Sequence, residues 1–167
     1  MRRATAHVPA GSWPEEGAVA TVTLPWHERH RRRLRFFDDA GAPFLLDLPA
    51  AARLADGDGL ALAEGGIVRV RAAAEAVVDL ACDTPARAAR LAWHIGNRHV
   101  PLQVLSDTDL RVGDDPVVVA MALGLGATPK RHQAPFAPEG GAYEAALGAH
   151  PPIPIARRAK AVGDDRA

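Results

Sequence analysis

The stretch Ala76-Val77-Val78-Asp79-Leu80-Ala81-Cys82-Asp83-Thr84-Pro85-Ala86-Arg87-Ala88-Ala89-Arg90-Leu91-Ala92-Trp93-His94-Ile95-Gly96-Asn97-Arg98-His99-Val100-Pro101 decides the fold. Its first five residues are an apolar run of strand length with two β-branched side chains. Asp83 or Thr84 then offers an N-cap oxygen, and Pro85 stands where a first helical residue needs no N–H. Ala88, Leu91, Ala92 and Ile95 recur at helical spacing and make one apolar stripe. Pro101 closes the element. Strand chemistry returns at Leu102-Gln103-Val104-Leu105, and Ser106-Asp107-Thr108-Asp109 turns the chain into Leu110-Arg111-Val112. Asp114 or Asp115 caps a second helix opened by Pro116. That helix, Val117 to Leu123, is apolar nearly all round and stops at Gly124 or Gly126. A last extended piece runs from about Arg131 to Phe136. The order is β-α-β-β-α-β, the split βαβ or ferredoxin-like unit.

Outward from this unit the pattern changes. On its N-terminal side, Val19-Ala20-Thr21-Val22-Thr23-Leu24 alternates and stops at Pro25. Arg33-Leu34-Arg35-Phe36 alternates basic and apolar residues, which predicts one wet and one buried face. Asp38-Asp39-Ala40-Gly41 is turn chemistry before the strand Phe44 to Leu48. Asp56-Gly57-Asp58-Gly59 leads into Leu60 to Ala63, and Glu64-Gly65-Gly66 is a hairpin signal before Ile67 to Arg71. The expected class is α+β: a flexible arm over 1–17, a β-rich domain over 18–73, a ferredoxin-like domain over 74–137, and a disordered Gly-, Pro- and Ala-rich tail over 138–167.

Bulk composition narrows the functions. The 167 residues are 48% hydrophobic and 24% charged, with a formal net charge of zero, so a nucleic-acid partner is not expected. No apolar run approaches the roughly 20 residues that cross a bilayer, and the N-terminus lacks the apolar core of a secretory signal. The single cysteine, Cys82, forms no internal disulfide and fits a reducing cytoplasm. No catalytic residue is assigned. There is no G-x-S-x-G, no phosphate-binding loop, no H-E-x-x-H and no cysteine pair, so the chain does not read as an enzyme. The glycines at 57, 59, 65 and 66 lie between strands, where hairpins explain them better than a phosphate cradle.

Histidine carries the remaining chemistry. His27 and His30 lie three apart beside Glu28, but Arg29, Arg31, Arg32, Arg33 and Arg35 would repel a cation, and a solvated face is the simpler account. His7 falls in the arm and carries no signal. His94 and His99 are about 140° apart on a regular helix and cannot chelate one ion together. His94 points away from the apolar stripe. His99 continues it, and the plain account is a satisfied core histidine. The sharper account uses symmetry: an imidazole near an apolar surface can meet its own copy across a two-fold axis and supply half of a metal site. Imidazole suits nickel, copper and zinc alike. His132 and His150 could add ligands from the C-terminal region.

Trp93-His94-Ile95-Gly96-Asn97-Arg98-His99-Val100-Pro101-Leu102-Gln103 resembles the signature of the UreE family of urease accessory proteins, which handle nickel. Asp56 to Leu60 with Val70 to Glu75, and Ala134 to Tyr143, resemble two further family stretches, so the likeness runs from about Val19 to Tyr143. It implies a β-rich domain that engages peptides or partners and a ferredoxin-like domain that dimerises. It implies Ni²⁺ bound at the dimer interface by His99 of each protomer, with Zn²⁺ or Cu²⁺ as competitors. It implies delivery to apo-urease with accessory proteins that include the GTPase UreG. His150 is the candidate for a mobile extra ligand and His132 a lesser one. Many relatives end in a histidine-rich tail; here only His150 follows Tyr143, which implies one interfacial site rather than a store. Asp114 or Asp115 could be a weak ligand, though helix capping explains both more simply. The alternative is a protein-interaction module that uses no metal, its arginine-rich β half binding acidic or extended segments; a metallohydrolase is a weaker rival.

Overall fold

The computed structural model describes residues 1–140 and contains two sheets and two helices. Six strands build the first sheet: β1 (Arg2–Val8), β2 (Ala18–Leu24), β3 (His30–Phe37), β4 (Pro43–Arg53), β5 (Gly59–Leu62) and β6 (Ile67–Ala72), in the order β2-β6-β5-β1-β4-β3. The two sequence-distant pairs, β1 with β4 and β2 with β6, are parallel, and the rest are antiparallel. Alternate residues of these strands point inward, so Val22, Phe44, Leu46, Leu60, Val68 and Val70 meet in one core. The turn after β3 joins the two ends of the sheet. Asp39 donates its N–H to Thr21 O (2.8 Å), and its carboxylate accepts from Thr23 N and Oγ1 (both 2.8 Å) on β2.

The expected loose arm is absent. Residues 2–8 form a strand inside the sheet, flanked by β4 and β5. Arg2 is tied to Asp38 at 2.6 Å, and His7 Nε2 lies 2.6 Å from the carboxylate of the buried Asp58. Trp13 is buried over Gly59, where a β-carbon would come within 2.7 Å of Ile67 and 2.9 Å of the indole, so only glycine fits. The Pro and Gly residues of this segment shape a short loop that docks back on the sheet rather than freeing the chain. The expected two-faced pattern on β3 holds only at Phe36. Leu34 is exposed, because β3 is the last strand of its sheet.

Four strands build the second sheet: β7 (Ala74–Ala81), β8 (Gln103–Val104), β9 (Asp109–Gly113) and β10 (Thr128–Pro135), in the order β10-β7-β9-β8 with every pair antiparallel. Helix α1 (Pro85–Gly96) and helix α2 (Pro116–Gly124) complete the β-α-β-β-α-β order read from the sequence. Thr84 caps α1 by accepting from Arg87 N, and Asp115 caps α2 by accepting from Val117 N at 2.8 Å. Ala88, Leu91 and Ile95 of α1 pack with Val78, Leu80, Leu110, Val112, Val118 and Ala122. Truncating the fully buried Leu91 to alanine would cost about 2–5 kcal/mol.

The start of the expected tail is also docked. Pro138 is buried, its carbonyl accepts from Arg53 at 2.9 Å, and Glu139 N–H donates to Leu102 O at 2.7 Å. The rest of the tail, with His150, lies outside the described residues.

Candidate metal-binding site

Helix α1 ends in a way that decides what His99 can do. Its last helical residue is Gly96, five residues short of Pro101. His99 N–H donates to Gly96 O (2.9 Å) and Val100 N–H reaches back to Ile95 O (3.5 Å). This is the Schellman closure, in which the residue past the C-cap takes the left-handed conformation and the next residue returns an apolar side chain to the helix. His99 occupies that left-handed position with φ +56°, where glycine is usual, and no other non-glycine among the described residues has a positive φ. A β-carbon there carries about 1–2 kcal/mol of strain. Val100 packs against the helical core, as the motif requires.

The stripe expectation for His99 is thereby corrected. Because the helix stops three residues earlier, the ring is not a core histidine but exposed, and it makes no hydrogen bond to any described residue. His94 stays on the helix, half-buried, with its ring edge-on to Trp93 at 4.9 Å.

His99 borders a surface hollow of about 400 Å³ between its own turn and Gly113-Asp114-Asp115, with Trp26 and Phe136 also in its walls. Those two aromatic rings meet edge-to-face at 5.9 Å. Each carboxylate of the hollow is already committed. Asp115 caps α2, Asp114 binds Arg131 at 3.0 Å, and Glu75 accepts from Trp26 N at 2.6 Å. The donor set that remains is one imidazole. No cluster of three or more His, Cys, Asp or Glu gathers among the described residues, so this surface holds an ion firmly only with ligands from elsewhere.

His132 stands elsewhere and differently. It lies on β10 opposite Val77, and its Nε2 is 2.9 Å from Asp79 Oδ2. Arg111 grips the same carboxylate with two nitrogens at 2.6 and 3.1 Å. Those hydrogen bonds hold the Asp79 carboxyl below the usual carboxylate range and raise the Arg111 guanidinium. His132 is not among the residues lining the His99 hollow. His27 and His30 are exposed. Cys82 is free and buried, and burial pushes its thiol up, away from the thiolate a metal needs.

Sequence reasoning missed Arg29. It is 3% exposed, and it donates to Leu54 O and Phe136 O, which ties the two sheets together. Its basic neighbours masked it, and no local pattern marks one arginine of such a run as buried.

A single imidazole presented at a helix terminus beside the four-stranded sheet defines a surface that can share an ion with a second set of ligands. Residues 2–73 match the N-terminal domain of the UreE urease accessory proteins, and residues 75–160 match the C-terminal domain. The chain is 49% identical over 128 residues to the urease accessory protein UreE of Azorhizobium caulinodans, covering 77% of this chain and 61% of that protein. It is 43% identical over 143 residues to UreE of Beijerinckia indica (86% and 82%) and 44% identical over 150 residues to UreE of a Bradyrhizobium species (90% and 70%). The chain belongs to the UreE urease accessory protein family.

Proposed function

We propose that this chain is a nickel carrier for urease maturation, acting as a homodimer in which His99 of each protomer binds the same Ni²⁺ ion. The observation that carries the reading is the unpartnered, exposed imidazole held at the left-handed closure of α1. A neutral imidazole offers one lone pair, and two copies across a two-fold axis offer two, with water or a mobile side chain filling the rest of the coordination sphere. His150 is the candidate for that mobile ligand. His132 has the weaker claim, since Asp79 already engages its Nε2.

A second copy would also cover exposed apolar side chains. Trp93 on α1 and Val117 and Leu123 on α2 are 64%, 73% and 55% exposed, on elements that begin or end at the His99 hollow. Read as a ferredoxin-like domain, residues 74–137 dimerise and bind metal, while residues 18–73 engage partners. Those partners are apo-urease and its accessory proteins, including the GTPase UreG, in the cytoplasm. None of the described helices is long and apolar enough to cross a membrane. The work is transfer rather than turnover: few protein ligands at an exposed interface hold the ion firmly yet release it to a partner. Zn²⁺ and Cu²⁺ compete, and copper binds more tightly at imidazole, so selectivity comes from partners and supply.

Calorimetric nickel titration with concurrent measurement of particle mass tests this. The expected result is one ion per two chains, with the dimer stabilised by metal. An H99A variant that still takes up nickel as the parent does overturns the assignment.

A further inference from the structure

The closure of α1 leaves one carbonyl for a side chain to fill. A helix that continued past Gly96 would send Arg98 N–H to His94 O, four residues back. The turn tightens instead. Asn97 N–H donates to Trp93 O (3.0 Å), but Arg98 N–H donates to Ile95 O (3.0 Å), only three residues back. His99 N–H follows at the same shorter spacing, to Gly96 O (2.9 Å), and Val100 N–H closes on Ile95 O. Trp93, Ile95 and Gly96 are thereby satisfied, and among the described residues no backbone N–H reaches His94 O. The Arg98 side chain does: its Nη1 donates to that oxygen at 2.9 Å. With it, the last four carbonyls of α1 all have a donor.

That bond has no competitor. Arg98 is exposed, and among the described residues its guanidinium pairs with no carboxylate. Its charge also suits the carboxyl end of a helix, where the backbone dipole is negative. Next in the chain stands His99, whose positive φ is strained and whose ring makes no hydrogen bond to any described residue. A strained backbone persists only where its surroundings hold it. The ring supplies no hold, so it comes from the turn: the closing backbone bonds, Val100 on the helical core and the Arg98 clasp. Only the last is a side chain outside the core, and it can be removed without unpacking the helix.

We infer that Arg98 is the positioning residue for His99. Its guanidinium fills the carbonyl that the tightened turn leaves open, and so holds the left-handed backbone that presents the imidazole. A ligand must keep its direction to within roughly 10–20° to serve a shared ion. The same bond keeps the guanidinium at His94 O; a loose cation next in the chain to the ligand would repel a divalent ion. Removing Arg98 therefore has two opposed consequences. Loss of its charge alone would tighten nickel binding, whereas loss of the clasp weakens it. The effect of Arg98 on nickel rests on His99 being the ligand; its effect on the backbone does not.

Calorimetric nickel titration of the full chain compares the parent with R98A, R98K and T84A. T84A removes the N-cap at the far end of the same helix, so it lowers helix stability without touching the turn. R98A should weaken nickel binding by about tenfold or more. R98K keeps the charge and a donor, and should stay within about threefold of the parent. T84A should stay within about threefold as well. A second readout needs no metal. A positive φ brings the amide proton of His99 close to its own Hα, and the isotope-labelled chain shows this as a strong intraresidue cross-peak by NMR. The peak should be strong in the parent, R98K and T84A, and fade in R98A. The proposal is overturned if R98A binds nickel as tightly as the parent or more tightly, or if R98K or T84A loses as much as R98A. It is overturned also if the cross-peak in R98A matches the parent's. A parent chain that takes up no nickel sinks the carrier reading, and the positioning role then stands or falls with the cross-peak.

Discussion

His99 and His132 are the two described histidines with a claim on metal, and their surroundings are opposites. His99 stands on a turn that strains its backbone and gives its ring nothing to bind. His132 lies on a strand, and its ring is anchored to a carboxylate that an arginine also holds. An imidazole without an internal partner is free to bind an ion; one built into an ion-pair network contributes to the stability of the chain. The difference teaches that histidine's availability, more than its presence, is what makes a residue a candidate ligand.

The largest expected effect separates the two directly. H99A should lower nickel affinity by about 100-fold or more, whereas H132A should change it by less than about threefold and instead remove roughly 1 kcal/mol of stability. Equal losses of affinity in the two variants would break the comparison.

A second measurement concerns the network around His132. D79N should destabilise the chain by about 2 kcal/mol at neutral pH, read from urea midpoints. The Asp79 carboxyl lies below its ordinary value of 3.8 in the folded chain, chiefly through its hydrogen bonds with Arg111. The unfolded chain therefore takes up the proton first as pH falls. The stabilisation is complete above that ordinary value and drains away as pH drops through the folded one. Parent and D79N should converge in acid; a difference that persists unchanged at about pH 3 would show that the carboxylate charge is not its source.

The smallest effect concerns the strain at His99. H99G should raise stability by up to about 1 kcal/mol, because glycine adopts the left-handed conformation without a β-carbon clash, while nickel affinity falls as in H99A. A melting temperature that drops in H99G would mean that the ring makes a stabilising contact after all.

Much of this architecture was legible beforehand. The caps at Thr84 and Asp115, the prolines behind them and the stripe Ala88, Leu91, Ile95 place both helices, and turn residues separate the strands. β1 was overlooked because Ala4 is its one buried residue and the register slips between Ala4 and Ala6, so no clean alternation marks a buried face, and the glycines and prolines that follow read as looseness. His99 was singled out through its resemblance to a family signature, and its setting was misjudged. Carrying the helical period three residues too far put the ring on the buried stripe.

The sequence by itself determined the order of elements, the helix starts and the family, because those signals lie within a few residues of one another or in a continuous motif. The tertiary structure decided what is accessible. Arg29 is buried because a carbonyl 107 residues away meets it, β1 is a strand because β4 and β5 flank it, and His132 is occupied because Asp79 lies across the sheet. Burial and pairing depend on which distant groups arrive at the same point, and no local period encodes that.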